Sequence, residues 1–559
     1  MWQHNYVPVG EHLGWSALVA ALPIVILGMM LGVWRRPSWQ SALVALGTAL
    51  VVALGVYGMP MALAVTSVVY GAAYGLFPIA WVVFSSIMLY RLVVDTGRFE
   101  IIKDSVGSLT DDRRLQALFI AFSFGAFIEG AAGFGAPVAV AGAMLAGLGF
   151  DPFYAAGICL LANTAPVAFG SIGVPVVTLA NVTGLPLPAL SAMVGRLCAL
   201  VSVFIPGYVL VVMAGRRRAL EVLPAIAACG LSFAAMQFLV SNYVGAELTD
   251  IASSLTCIVV MLAVLKFWRP ASVMRLEGDR PSTSASQRHP VSAVLSAWAP
   301  YLLLVVFVLL WGEPRVKAAI DAWTQHLLSG VVTTSGVNGI PVPGLHNQIL
   351  RVAPVTASPS PYAAVFTLNW LSASGTACLL ATLVAAVVLR IRPAAVVKAY
   401  TSTFAQLSLA MVTIASMLGL AYLMNYSGMT STLGLALAST GRGFPFFSAV
   451  VGWMGVFLTG SDTSANALFG NLQVVTANAL HLSPVLMAAV NSSAGVMGKM
   501  ISVQSIAVAV AATGMTVADE SRLFRFTIRH SVILMVVMGV LSLLFAYVFP
   551  GAVPSLPTA

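Results

Sequence analysis

Long apolar runs without a single charge decide what this chain can become. Ser16 to Val33, Ser41 to Tyr90, Phe153 to Gly195, Leu223 to Ala246, Ala399 to Gly441 and Ser531 to Ala559 contain no Asp, Glu, Lys or Arg. A spanning helix needs about 20 apolar residues, so each run supplies one and the longer runs two. Of the 559 residues 59% are hydrophobic and 8% charged, and no water-soluble fold could hide that much apolar side chain. The fold class expected is an all-α polytopic membrane protein of about 12–14 helical elements, a size usual for secondary transporters.

The basic residues, which leave a net charge of +9, gather in short connections: Arg35-Arg36, Arg91 to Arg114, Arg216 to Arg218, Lys266 to Arg288, Arg390 to Lys398 and Arg522 to Arg529. That is the pattern of cytoplasmic loops between spans, not of a nucleic-acid surface. The N-terminus, with no basic region before its first apolar run, reads as external and without a cleavable signal. Cys159, Cys198, Cys229, Cys257 and Cys378 are scattered singly, so no disulfide framework or metal pair follows. Nothing calls for a cofactor.

A polar segment rich in Ser, Pro and Arg, 269–290, reads as a cytoplasmic linker between an N-terminal transmembrane half, 1–268, and a C-terminal one, 291–559. The second half includes a Gly- and Pro-containing external loop, 312–361, with a surface helix around Val316 to Leu328. Counting passes adds a constraint. If Arg91 to Arg114 and Arg216 to Arg218 share a side, an even number of crossings joins them, yet three apolar segments lie between. One must be broken or re-entrant. Leu115 to Phe150 is the best candidate, being interrupted by Gly125, Gly130, Gly133, Gly135 and Pro137; the alternative is one tilted helix using Gly for close packing.

A faint internal repeat supports this. Gly125, Phe127 and Gly130 of GAFIEG recur as Gly455, Phe457 and Gly460 of GVFLTG, and Asn163 and Gly170 recur at nearly the same offset as Asn491 and Gly498. Duplicated halves with discontinuous helices place the substrate of many carriers at the repeat interface. Whether the repeat is inverted or parallel is not legible here.

Charges inside apolar runs are costly, about 2.5–3.5 kcal/mol at the bilayer centre, so each needs a reason. Glu129 is the sole charge between Leu115 and Phe150, and Asp462 and Lys499 are the sole formal charges between Gly443 and Ala518. Glu129 and Asp462 are candidate proton-coupling groups, able to load a proton on one side and release it on the other. Equally, Glu129 could be pinned by backbone NH groups or an ion pair, and Asp462 could cap the helix that follows. Lys499 suits neutralisation of an anion or pairing with either carboxylate. Asn163, Thr164, Thr459, Ser461, Ser464, Asn466, Asn491, Ser492 and Gln504 are the polar groups expected to line the substrate site, with Pro166 and Pro175 freeing NH groups near Asn163. Small polar residues also glue helices together, which is the competing reading. Gly498-Lys499 is not a phosphate loop, because Met500 follows and Ser493 stands where the first Gly belongs.

At these residues the chain closely resembles the L-lactate permease family, which includes the glycolate permeases. The resemblance is carried by WQHNY near the start, VVYGAAYGLFPIAW, FGAFIEGAAGFGAPVAV, GLGFDPFYAAGICLLANTAPVAFG, NYSGM, GWMGVFLTGSDTSANALFG and GKMIS with QSIA. It implies a bacterial inner-membrane carrier for proton-linked uptake of L-lactate, D-lactate and glycolate, with the lipid bilayer, the anion and the proton as its partners. Two departures stand out: Val503 where the family reads Pro after GKMIS, and Ala465 where it commonly reads Ser. A carrier of another small organic anion, sodium-coupled or not, is the alternative. An intramembrane enzyme is disfavoured, since HExxH, GxSxG and a paired intramembrane Asp motif are absent. Oligomeric state is not encoded legibly.

Overall fold

The computed structural model describes residues 1–107, 109–133, 135–275, 289–327, 340–356 and 358–555. Among them 12 helices are long and apolar enough to cross a membrane, or 13 when a pair bent by 65° counts as one span. The chain is thus an all-α polytopic membrane protein. Its few strands have two or three residues each: Trp2–Gln3 lies parallel to Ile349–Arg351, which pairs with Ser360–Pro361, while Ile340–Pro341 pairs with Val365–Phe366. Ile340–Pro341, Ile349–Arg351 and Ser360–Pro361 lie with the helix Pro314–Leu327 in the segment expected as an external loop, and Trp2–Gln3 and Val365–Phe366 pair with it from outside. Residues 328–339 of that loop, and 276–288 of the expected linker, lie outside the described residues.

Eight helices make the centre. In the first half these are α1 (Arg113–Ala131), α2 (Ala136–Gly147), α3 (Pro152–Ala162) and α4 (Gly170–Thr183). In the second they are α5 (Phe444–Thr459), α6 (Asp462–Ala479), α7 (Pro484–Lys499) and α8 (Val503–Thr513). Both sets run helix, break, helix, turn, helix, break, helix.

The segment from Leu115 to Phe150 is a hairpin. Its two ends meet, with the Arg113 guanidinium 4.7 Å over the Phe150 ring, and α2 packs back along residues 117–124 of α1. Gly133 (φ +61°) and Gly135 (φ +84°) turn the tip in backbone conformations that side chains disfavour. Pro137 in the first turn of α2 blocks continuation of α1. All of α1 is buried, whereas most of Leu13–Val33 and Val291–Gly312 is left for lipid.

The first hairpin opens toward the face that carries the basic connections; at its base Phe153, in the first turn of α3, lies 4.3 Å under the Arg522 guanidinium. The second hairpin, α5–α6, turns at Gly460 (φ +71°) and opens the other way. Thr476, near the end of α6, donates to the Gly434 carbonyl (3.0 Å), and Thr432 nearby bonds the Tyr57 hydroxyl (2.9 Å) on the face opposite the basic connections. The two hairpins therefore enter from opposite faces. Each half also completes the other: α2 packs on α8, and α4 packs on α6.

The match between halves is imperfect at the second sequence anchor. Asn163 ends α3, whereas Asn491 sits inside the unbroken α7, whose break comes only after Lys499. That later break persists without the expected proline: Ser502 caps α8 by accepting from the Ser505 NH (3.2 Å), so Val503 does not restore a continuous helix.

Candidate functional site

Four helices begin at one place. The first turns of α2 at Gly135, α6 at Ser461 to Ser464 and α8 at Gln504 and Ser505, together with Pro175, where α4 becomes right-handed after the left-handed turn Ser171 to Gly173, all line a central cavity of about 290 Å³. Each helix start leaves unpaired NH groups and roughly half a positive charge. Their convergence makes the cavity anion-seeking before any side chain is counted.

The side chains add one cation and two carboxylates. Lys499, at the end of α7, donates from Nζ to Glu129 Oε1 at 3.0 Å, and both groups are buried. Glu129 Oε2 has no hydrogen-bond partner among the described residues. Gly170 packs so tightly on this carboxylate that a Cβ there would stand 2.5 Å from Oε1. Ser171 ties the start of α4 to the first hairpin by donating to the Ala132 carbonyl (2.8 Å). Asp462 also lines the cavity but is held from behind: Ser492 donates to Oδ2 at 2.6 Å and Asn466 at 3.3 Å. The helix cap is Ser461, which accepts from the Ser464 NH at 3.3 Å, so Asp462 occupies the first turn rather than the cap position.

A buried ion pair is tolerated only with good geometry, and losing one partner strands the other. Here one oxygen of Glu129 and one of Asp462 stay unpartnered, which a purely structural pair would satisfy. A second cavity of about 700 Å³ shares Ser38, Thr459, Gly460 and Gln504 with the first, and Arg35, Arg36, Glu520 and Arg525 stand around it. The centre therefore communicates with the basic face.

The family model for L-lactate permease matches residues 16–549. The chain belongs to the L-lactate permease family. Relatives of this family member include an L-lactate permease of Bacillus subtilis strain 168, 46% identical over 99% of this chain and 100% of that protein. The L-lactate permease of Escherichia coli K12 is 45% identical and the glycolate permease GlcA of the same organism 44%, with the same coverage.

In this family member the expected site residues divide into three groups. Glu129, Thr459, Ser461, Asp462, Ser464, Lys499 and Gln504 line the cavity. Asn466, Asn491 and Ser492 sit behind it: Asn466 donates to the Pro175 carbonyl (3.1 Å), and Asn491 donates to Asn466 Oδ1 (2.9 Å) while accepting from Gln473 (3.1 Å). Asn163 and Thr164 do not line the cavity. They close the C-terminal end of α3, and the right-handed part of α4 starts only after the left-handed turn Ser171 to Gly173. Sequence reasoning missed Ser171, Thr463 and Ser505; the polar residues flanking each break were the available signal.

Proposed function

We propose that this chain takes up small 2-hydroxymonocarboxylates, L-lactate, D-lactate and glycolate, across the bacterial inner membrane together with a proton. The carrying observation is a single cation, Lys499, held by one carboxylate where four helix starts meet. An incoming carboxylate and Glu129 compete for that ammonium. A proton on Glu129 removes its charge, releases Lys499, and lets the anion take the site along with the helix NH groups. Thr459, Ser461, Ser464 and Gln504 line the same cavity, which supports their meeting the 2-hydroxyl. One anion moving with one proton transfers no net charge, so the membrane potential does not oppose uptake.

The pairing favours Glu129 over Asp462 as the proton-coupling group, since Asp462 is bonded to Ser492 and Asn466 rather than to the lysine. The positive-inside rule puts the basic face in the cytoplasm, so the open cavity is read as the release side and the polar linker as cytoplasmic. The test is uptake of labelled L-lactate and glycolate into right-side-out vesicles under an imposed proton gradient, with and without sodium. Accumulation driven by protons in sodium-free medium supports the reading; accumulation that needs sodium, or none, overturns it.

A further inference from the structure

Among the described residues two buried acids lie outside the cavity; Asp112 is paired with Arg114, and Asp250 is not paired. Asp250, in the first turn of the helix Thr249–Phe267, is 1% exposed, and neither carboxylate oxygen has a hydrogen-bond partner among the described residues. It presses on the first hairpin: a Cβ on Gly130, the residue after Glu129, would stand 2.8 Å from Asp250 Cβ. Charges on Glu129 and Lys499 both act on it, and it acts in turn on the Cys198 thiol. Among the described residues no hydrogen-bond donor supports an anion here, and an unsupported buried carboxylate is among the most expensive groups a protein can hold.

On its other side the chain reaches a separate cavity of about 520 Å³ lined by Gly245, Glu247 and Leu248, on the face opposite the basic connections. Glu247, half-buried there, accepts from Ser374 at 3.4 Å. Asp250 thus stands between a polar pocket on one face and the Glu129 carboxyl, whose Oε2 is free, at the centre.

We propose that Asp250 is a proton-relay residue, passing a proton from the Glu247 pocket to Glu129 by a route separate from the substrate's path through the basic face. The transfer breaks the O–H bond on the Asp250 carboxyl and forms one on Glu129. Asp250, left as carboxylate, is reprotonated from the Glu247 side, and Glu129, now neutral, gives up Lys499. No other reactant is consumed. This rests on the proton-coupled reading above.

The test compares wild type, Asp250→Asn, Asp250→Glu and Glu247→Gln in proteoliposomes by two assays: lactate counterflow at equal pH, and lactate accumulation with proton uptake under an imposed pH gradient. Asp250→Asn is expected to keep counterflow within about twofold while gradient-driven accumulation and proton uptake fall more than tenfold. Asp250→Glu is expected to recover most of that loss, and Glu247→Gln to slow proton uptake severalfold. In infrared spectra the Asn variant should lack one protonated-carboxyl carbonyl band. Wild-type accumulation by Asp250→Asn overturns the relay, and so does loss of counterflow in that variant, which would make Asp250 structural. Failure of wild type itself to accumulate on a proton gradient while counterflow persists would instead sink the symport reading.

Discussion

Replacing Glu129 by Gln separates the two tenants of Lys499. At 3.0 Å, with an effective dielectric near 20, the pair is attracted by about 5.5 kcal/mol. Gln still offers a carbonyl oxygen to the ammonium, which retains about 1 kcal/mol. Allowing for relaxation around the pair, about 2–4 kcal/mol of the competition against an incoming carboxylate disappears, or roughly 30- to 700-fold in Kd. If, as proposed, one proton enters with each anion, wild-type lactate affinity should fall up to tenfold per pH unit in the proton-limited range. In the variant no proton is needed. Calorimetric titration of the purified proteins with L-lactate at about pH 6 and pH 8 should show a steep wild-type dependence and a flat one for Glu129→Gln, with the variant the tighter binder at the higher pH. Parallel loss of affinity in both proteins, or weaker binding by the variant at pH 8, would refute competition for Lys499.

Gly170→Ala places a methyl group 2.5 Å from Glu129 Oε1 and should push the carboxylate off the lysine; vesicle uptake is expected to drop at least tenfold with the protein still present in the membrane. Ser492→Ala removes the 2.6 Å bond to Asp462 and is expected to cost about 1–2 kcal/mol, read as a lowered Tm in detergent, while Ser492→Thr keeps the hydroxyl and most of the stability. His4 belongs to the strand-bearing cap, where burial, offset in part by its bond to the Tyr426 carbonyl and reinforced by Arg351, pushes the imidazole down to about 4 from its ordinary 6.5. Between those values the unfolded segment binds more protons than the folded one, so the docking of residues 1–6 is full above pH 6.5 and weakens as pH falls toward 4. Amide exchange of that segment should show the change, and His4→Gln should flatten it.

What could be read from sequence was whatever the bilayer makes expensive. Charge-free runs give the spans, and the parity of crossings between basic loops exposes the hairpin whose ends meet at Arg113 and Phe150. Glu129, Asp462 and Lys499 are conspicuous because nothing else near them is charged. The pairing was not legible: Lys499 had two possible partners, and only the packing of the first hairpin against the end of α7 selects Glu129. Asn163 misled for a related reason, because a polar residue before a proline marks a break but not which side of it faces the ligand. Asp250 did not stand out in the sequence because it lies close to Glu247 and outside the charge-free runs; its burial goes with Gly130 and Gly173, whose missing side chains let the backbone of 246–251 pack close.

Reciprocal seating of α2 on α8 and of α4 on α6 means that neither half owns a finished chamber. A gene cut within 276–288 should yield fragments that are inert when made singly and active when made together, much as two oppositely oriented copies of one ancestral protein would have had to find each other before being joined end to end.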